Sequence, residues 1–327
     1  MAIQTVNGKG FEYAVCDTMR AALIERNQQV EIVKNDAYIN VEAHFNSITD
    51  QESKNKMLKA AKASINSLFR FEPNLSNGDD IIKISIQKDS SGIAGDVRDV
   101  VFKKENSNWC IGVSCKHNHR AVKHSRLSNT IDFGQDWLGY PCSKNYFNQI
   151  GIVFDRLTII RDSTKHLPPQ QKAKWNIIDN KNVEVYLPIL MAFKDELYRL
   201  NNDHPDVPTR LLEYLLGSKD FYKVIAIDKE QKTIIQAYNI HDTLSLTAGN
   251  IRPINRSQKL SSKLPTQILD IRMKQNNETT LLVTLDNGWS LSLRIHNASS
   301  KIEPSLKFDI NLTGVPSSLS NLEEYWQ

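Results

Sequence analysis

The chain has 327 residues, of which 40% are apolar and 24% charged, with 41 Lys and Arg against 37 Asp and Glu. These proportions are typical of a soluble globular protein with one large or two small domains. No apolar run approaches the roughly 20 residues of a membrane span, and the N-terminus lacks the pattern of a secretion signal, so we expect a cytoplasmic protein. Four cysteines without a CxxC pair predict neither a disulfide framework nor a zinc ribbon.

The first half of the chain mixes helical and strand patterns. Apolar residues at three- and four-residue spacing or in alternation predict helices at 11–27, 50–69, 121–127 and 145–160, and strands at 81–87, 97–104 and 109–116. Thr49 or Asp50 is the expected N-cap of the second helix. Residues 161–171, which contain Pro168 and Pro169, are expected to form a loop.

The second half turns from helices to strands. The patterns predict helices at 187–201 and 209–216, then strands at 221–227, 233–239, 268–274, 280–285 and 289–296. Pro188 is tolerated in a first helical turn, and Gly217 ends the second of these helices. This order predicts an α/β or α+β core over residues 1–200, followed by a β-rich region over 201–327.

The hairpin formed by the strands 97–104 and 109–116 carries the most informative pattern. If its four-residue loop closes symmetrically, Lys104 lies opposite Trp109 and Asp99 opposite Ser114. Because side chains alternate along a strand, Ser114 and Lys116 then share a face with Asp99. On spacing alone, a carboxylate and a lysine at one end of a ribbon favour a simple ion pair at a sheet edge, and they are also compatible with a catalytic site.

Basic residues are concentrated in two segments. Residues 116–126 contain four Lys or Arg, three histidines and no acid, and residues 251–263 contain four Lys or Arg and no acid. Acid-free basic segments in a nearly balanced chain favour a polyanionic partner, although two solvated surface segments would look the same.

Several runs of residues resemble the HaeIII-type family of type II restriction endonucleases. They are GKGFEY at 8–13, GDVRDV at 95–100, WCIGVSCKHNH at 109–119, AVKHSRLS at 121–128, EYLLG at 213–217, RIHNAS at 294–299 and EPSLKF at 303–308. The resemblance therefore spans most of the chain. It implies a PD-(D/E)xK nuclease core, with a mixed sheet flanked by helices, that cuts duplex DNA at GGCC with Mg²⁺.

The resemblance also assigns the catalytic residues. Asp99 matches the first acid of the motif and Lys116 its lysine, while Ser114 stands where the middle acid is expected. Asp96 or Glu12 could supply the missing carboxylate, and the hydroxyl of Ser114 could hold a water. The candidate metal ligands are therefore Asp99, Asp96 and Glu12. Among the roles open to Lys116, stabilisation of the developing negative charge is the preferred one.

Candidate DNA contacts lie in two places. The first set follows the hairpin and consists of His117, Asn118, His119, Arg120, Lys123, His124 and Arg126. Within it, Arg120, Lys123 and Arg126 would line one face of the predicted helix 121–127. A zinc site made of Cys110, Cys115, His117 and His119 is disfavoured, because the two cysteines point to opposite faces of one strand.

The second set lies near the C-terminus. A three-residue loop at 286–288 pairs Val283 with Leu291 and Leu281 with Leu293, which gives the hairpin one clean apolar face. Ser290, Ser292, Arg294 and His296 then lie on the polar face. Since arginine is the commonest reader of guanine, the candidates for base recognition are Arg294, His296, Asn297 and Lys301.

Three functions remain after this reading of the sequence. The first is a Mg²⁺-dependent restriction endonuclease specific for GGCC, whose host would need a cognate cytosine methyltransferase. The second is a catalytically silent DNA-binding protein on the nuclease scaffold, which the serine at position 114 keeps open. The third is a repair or structure-specific nuclease. Cutting both strands requires either a dimer or a monomer that acts twice.

Overall fold

The computed structural model of the protein describes residues 3–88, 95–245 and 262–327. The chain forms two compact units. The first comprises the described parts of Met1–Arg120, Leu216–Lys263 and Ser317–Gln327, and the second comprises Ala121–Leu215 and Leu264–Pro316. The division is thus interleaved along the chain, whereas the sequence predicted a single boundary near residue 200.

The first unit is built on a mixed seven-stranded sheet. Its strands are β1 (Val30–Val33), β2 (Ile82–Ile86), β3 (Val100–Lys104), β4 (Trp109–His117), β6 (Phe221–Ile227), β7 (Lys232–Tyr238) and β12 (Ser320–Tyr325), in the order β1-β2-β3-β4-β6-β7-β12. The pairs β1–β2 and β4–β6 are parallel and the others antiparallel. This confirms the predicted mixed sheet and an α+β fold.

Helices cover one face of this sheet. They are α1 (Ile3–Glu25), α2 (Asp36–Ser47) and α3 (Gln51–Phe71). The side chain of Asp50 accepts hydrogen bonds from the N–H groups of Glu52 and Ser53 and so caps α3 at the predicted position. Apolar residues of α1 and α3 and every second residue of β4 and β6 form one buried core, which includes Phe11, Met19, Leu68, Val113, Cys115, Tyr222 and Val224.

The second unit contains an antiparallel sheet of five strands. These are β5 (Lys123–Leu127), β8 (Ile268–Met273), β9 (Thr280–Leu285), β10 (Ser290–Asn297) and β11 (Leu306–Gly314), in the order β5-β11-β10-β9-β8. Its helices are α4 (Lys144–Ser163), α5 (Leu187–Asp203) and α6 (Val207–Leu216). No helix in the described parts of the chain is both long and apolar enough to span a membrane.

The hairpin of β9 and β10 has the predicted register. Val283 pairs with Leu291 and Leu281 with Leu293, and all four side chains are buried. The loop before Trp289 contains Asn287 and Gly288 at φ values of 55° and 85°. A turn with two positive φ values is one that asparagine and glycine adopt readily, so the local sequence selects the register.

One predicted helix is wrong. Where the helix was predicted at 121–127, residues Lys123–Leu127 form the strand β5, which pairs with β11 through Arg126–Lys307 and His124–Asp309. Lys123 and Arg126 therefore point to opposite faces, and the predicted helical strip of Arg120, Lys123 and Arg126 does not exist. The short segment has too few apolar residues to favour either period, and its pairing with a strand about 180 residues away decides its structure.

Among the α-helices and strands of the described residues, β1, α2, β11 and β12 were not predicted. The strands β1, β11 and β12 each pair with a strand that is distant in sequence, although β11 also pairs with the neighbouring β10. The strand β12, for example, carries charged side chains, and it is an edge strand of the first sheet through its pairing with β7.

Gly217 holds a backbone position that other residues do not tolerate. It follows α6 with φ at 83°, and a Cβ atom there would collide with the carbonyl oxygen of Gly95. We predict that Gly217→Ala lowers the free energy of unfolding by about 3 kcal/mol. Urea unfolding measures this change. Gly151→Ala is the control: Gly151 lies within α4 with open space around it, so this variant should gain up to about 1 kcal/mol. Equal stability of the two variants would contradict the assignment.

Candidate active site

The β3–β4 hairpin places the predicted acid and lysine together. Lys104 pairs with Trp109 and Val100 with Val113, as the four-residue loop predicted. Asp99 immediately precedes β3, and its N–H donates to the carbonyl oxygen of Val113 at 2.8 Å. The ladder therefore continues by one residue and brings Asp99 opposite Ser114.

The carboxylate of Asp99 is held by three consecutive residues of β4. Its Oδ2 accepts hydrogen bonds from the N–H of Cys115 at 2.6 Å and from the hydroxyl of Ser114 at 3.2 Å, and it lies 3.5 Å from Nζ of Lys116. None of the described residues donates to Oδ1. One oxygen thus fixes the orientation of the side chain, while the other remains available as a ligand.

Glu12 is the second carboxylate of the site. It lies on α1, where only 7% of the residue is exposed, and its Oε2 is 3.1 Å from Nζ of Lys9. Burial and, next, the negative charge of Asp99 raise the pKa of Glu12 to about 8, against the opposing charges of Lys9 and Lys116. When both carboxylates are ionised they repel each other, and a bound cation would stabilise the ionised form of Glu12.

Lys116 completes this group and is charged. Burial alone would lower its pKa, but the neighbouring carboxylates of Asp99 and Glu12 outweigh that effect and raise the pKa above the ordinary value of a lysine. About a quarter of the side chain is exposed, so a ligand can reach it. A lysine with a raised pKa stabilises negative charge and is a poor base at neutral pH.

The structure separates the two candidates for the missing acid. Asp96 forms a bidentate ion pair with Arg98, at 2.8 Å from Nε and 2.7 Å from the terminal nitrogen, so both of its oxygens are occupied. Glu12 is the carboxylate that interacts with Asp99 and Lys116. Ser114 is 3% exposed, and its hydroxyl is used to hold Asp99.

A second lysine beside the site was missed by the sequence analysis. Lys223 of β6 is the register partner of Ser114 in the parallel pair β4–β6, and its Nζ donates to the carbonyl oxygen of Arg120 at 2.7 Å. Burial, together with the charges of Lys116 and Arg120, lowers its pKa to about 7. The sequence signal that could have identified Lys223 is its place in the middle of an otherwise apolar strand.

The last residue of β4, His117, and the residues after it differ in their contacts and exposure. Nε2 of His117 lies 3.1 Å from Asp228, and Asn118, at a φ of 54°, both donates to and accepts from Asp228 at 2.9 Å. These contacts support a structural role for both in ending the strand. His119 and Arg120 are exposed. Cys110 is exposed and Cys115 buried, so the two thiols point apart as predicted and do not form a zinc set.

The other predicted DNA contacts lie in the second unit. Lys123 faces inward, where its Nζ donates to the carbonyl oxygen of Tyr214 at 2.8 Å. The side-chain oxygen of Asn297 accepts hydrogen bonds from Lys181 and Tyr186, and Lys301 is partly buried. On the opposite side of the sheet lie His124, Arg126, Arg294 and His296. Of the basic segment 251–263, residues 251–261 lie outside the described residues.

Known proteins resemble the chain over almost all of its length. A sequence profile of the HaeIII restriction endonuclease family matches residues 8–316. The chain belongs to this family. It is 40% identical to the type II restriction enzyme HaeIII of Haemophilus aegyptius over 327 residues, which cover 98% of each chain. No solved structure matches it.

Membership in the HaeIII family confirms the predicted class of activity. The chain is a site-specific restriction endonuclease, that is, a deoxyribonuclease whose substrate is DNA. Type II restriction endonucleases generally use a divalent metal ion, and the oxygen ligands offered by Asp99 and Glu12 suit a hard cation.

The raised pKa of Glu12 predicts a pH-dependent stability of the metal-free protein. Between pH 4.5 and about pH 8 the folded protein keeps a proton on Glu12 that the unfolded chain has lost, so the free energy of unfolding falls as the pH rises. Glu12→Gln removes this loss. Urea unfolding in EDTA measures the free energy of unfolding of the variant and of the wild type. The difference between them should change in favour of Glu12→Gln by roughly a few kcal/mol from pH 5 to pH 8.

Glu25→Gln is the matched control for this prediction, because Glu25 is exposed at the other end of the same helix. Its difference from the wild type should be the same at both pH values. If Glu12→Gln behaves like Glu25→Gln, Glu12 is not the buried, proton-binding carboxyl described here.

Proposed function

We propose that the chain is a type II restriction endonuclease that cuts both strands of duplex DNA at GGCC, with Mg²⁺ held by Asp99 and Glu12. The observation that carries the proposal is the group formed by Asp99, Glu12 and Lys116, in a chain that belongs to the HaeIII family. The specificity for GGCC rests on the family resemblance.

The residues present fit Mg²⁺. The site offers two carboxylates, one of which has an oxygen without a donor among the described residues, and Mg²⁺ prefers oxygen ligands. Burial above all, and next the charge of Asp99, raise the pKa of Glu12, so a bound cation would favour its ionised form. When bound, the ion would neutralise charge on the phosphate oxygens and lower the pKa of a bound water.

The chain's own residues supply orientation and charge. Hydrolysis forms a bond between a water oxygen and phosphorus while the bond to one ester oxygen breaks, so negative charge accumulates on the phosphate. The ammonium of Lys116, held charged mainly by Asp99, stabilises this charge. Ser114 and the N–H of Cys115 keep Asp99 in place, and in this scheme a hydroxyl at position 114 replaces the middle acid as an orienting group.

The biological setting follows from this activity. A host that carries a nuclease specific for GGCC must protect its own DNA, so the expected genetic partner is a cytosine methyltransferase that modifies the same site, and both proteins would act in the bacterial cytoplasm. Cutting both strands requires either two copies of the chain or one copy that acts twice, and both arrangements are compatible with the proposal.

Plasmid cleavage tests the catalytic assignment. Unmethylated plasmid in Mg²⁺ should give fragments that end at GGCC, and EDTA should abolish them. Asp99→Ala, Glu12→Gln and Lys116→Ala should each lower the rate by at least about a hundredfold, because each removes a ligand or the stabilising charge.

Asp96→Asn is the matched control for the carboxylate variants. Its ion pair with Arg98 is structural in this scheme, so its cleavage should remain within a few fold of the wild type. Loss of cleavage in Asp96→Asn together with full activity in Glu12→Gln would reverse the assignment of the second ligand. Intact DNA with salt-sensitive binding in every protein, including the wild type, would identify a silent DNA-binding protein.

Metal binding should release a proton. At pH 7 Glu12 is mostly protonated without metal, and a carboxyl must lose its proton to bind a cation. We expect titration of Mg²⁺ by calorimetry, in two buffers with different ionisation enthalpies, to show release of close to one proton by the wild type and none by Glu12→Gln. Equal proton release from both proteins would exclude Glu12 as a ligand.

A further inference from the structure

The five-stranded sheet of the second unit has one apolar and one basic face. The apolar face is buried and includes Leu291, Leu293, Ile295, Phe308 and Ile310. The opposite side chains of β5, β11 and β10 form a surface that we name the basic face. Its residues are His124, Arg126, Lys307, Asp309, Arg294 and His296.

The strand registers arrange the basic face in two rows. Asp309 of β11 lies between Arg294 of β10 and His124 of β5, and in the next row Lys307 lies between His296 and Arg126. Five basic side chains thus surround a single carboxylate within these two rows. Arg294 and His124 are 58% and 50% exposed, so the surface is accessible to a ligand.

Asp309 is in contact with three of these basic side chains. Its Oδ2 lies 2.6 Å from a terminal nitrogen of Arg294, and its Oδ1 lies 2.8 Å from His124 and 3.3 Å from His296. Partial burial opposes ionisation, but these neighbours, Arg294 above all, hold the pKa of Asp309 below its ordinary value. An ionised carboxylate therefore orients an exposed arginine.

We propose that the basic face is the surface with which the second unit contacts DNA, and that Asp309 is a positioning residue that presents Arg294 to a guanine edge. The inference rests on the proposed function, and it adds Asp309 and Lys307 to the residues that the sequence suggested.

The geometry of Arg294 supports this role. Asp309 takes one terminal nitrogen of the guanidinium, and the remaining N–H groups have no partner among the described residues. Arginine recognises guanine by donating two hydrogen bonds to O6 and N7, which requires a free edge of the planar group. A side chain that is already oriented loses less conformational entropy on binding.

Lys307 has a different expected role from Arg294. It lies in the second row of the basic face, and a lysine presents a point charge without a directed fork. Charges of this kind match the phosphate groups beside a recognised base, which contribute affinity without sequence information. The basic face thus combines one oriented arginine with neighbouring charges for the backbone.

Two measurements on purified full-length variants test the proposal. The first is kcat/KM for cleavage of a short duplex with GGCC and of duplexes in which one base pair is changed. The second is the affinity for a duplex without the site, measured in EDTA at several salt concentrations. The variants are Arg294→Ala, Asp309→Asn and Lys307→Ala. Arg161→Ala is the control, because Arg161 lies on α4, outside the five-stranded sheet, and 41% of its side chain is exposed.

The expected results differ between the variants. Arg294→Ala should lower kcat/KM at GGCC by about tenfold or more. Asp309→Asn should lower the preference for GGCC over the changed sites by a similar factor, while its affinity for other DNA stays equal or increases, since a negative charge has been removed. Lys307→Ala should weaken binding to all sequences alike and lower the salt slope by about one. Arg161→Ala should match the wild type.

The outcomes separate the inference from the proposed function. If the wild type cuts at GGCC and both Arg294→Ala and Asp309→Asn keep its preference and rate, the basic face does not read DNA. A parallel loss of melting temperature and of affinity for all DNA in Asp309→Asn would mean that Asp309 is only structural. If the wild type does not cut, the proposed function fails, and an unchanged salt slope in Lys307→Ala would then reject the basic face as a DNA surface as well.

Discussion

The register between β3 and β4 is the constraint on which the candidate active site depends. The N–H of Cys115 and the hydroxyl of Ser114 bind one oxygen of Asp99, and Lys116 follows on the same strand. Because side chains alternate, a slip of one residue would turn Ser114 and Lys116 into the core and bring Cys115 to the site. The apolar residues on the core side of β4, such as Val113, prevent this slip, so packing of the core also positions the candidate catalytic group.

Ionisation of Glu12 is disfavoured in the absence of a cation. Two carboxylates, Asp99 and Glu12, face the ammonium of Lys116, and burial of Glu12 raises its pKa to about 8. Such an arrangement costs stability in the absence of a cation and is compensated when one binds. The helix α1, which carries Glu12, also packs Phe11 and Val15 into the core. This packing offsets the loss of stability caused by the burial of Glu12.

The same alternation of side chains organises the second unit. Each strand of the five-stranded sheet gives one face to a buried apolar layer, and β5, β11 and β10 give the other face to basic residues. The strand β5 is essential to this surface. As a helix, residues 121–127 would have placed Lys123 beside Arg126, whereas the strand turns Lys123 inward to Tyr214 and leaves His124 and Arg126 on the basic face.

Local physical chemistry alone determined much of this protein: the cap of α3 by Asp50, the registers of both predicted hairpins and the position of Asp99 opposite Ser114. These features follow from turn geometry, capping and alternation, which act within a few residues. The tertiary structure decided the rest, because β5 and β12 exist through pairing with distant strands. It also pairs Asp96 with Arg98, which leaves Glu12 as the candidate second ligand, and it places Lys223 beside Ser114 and Asp309 beside Arg294. Proximity between residues that are far apart in the sequence has no local signature.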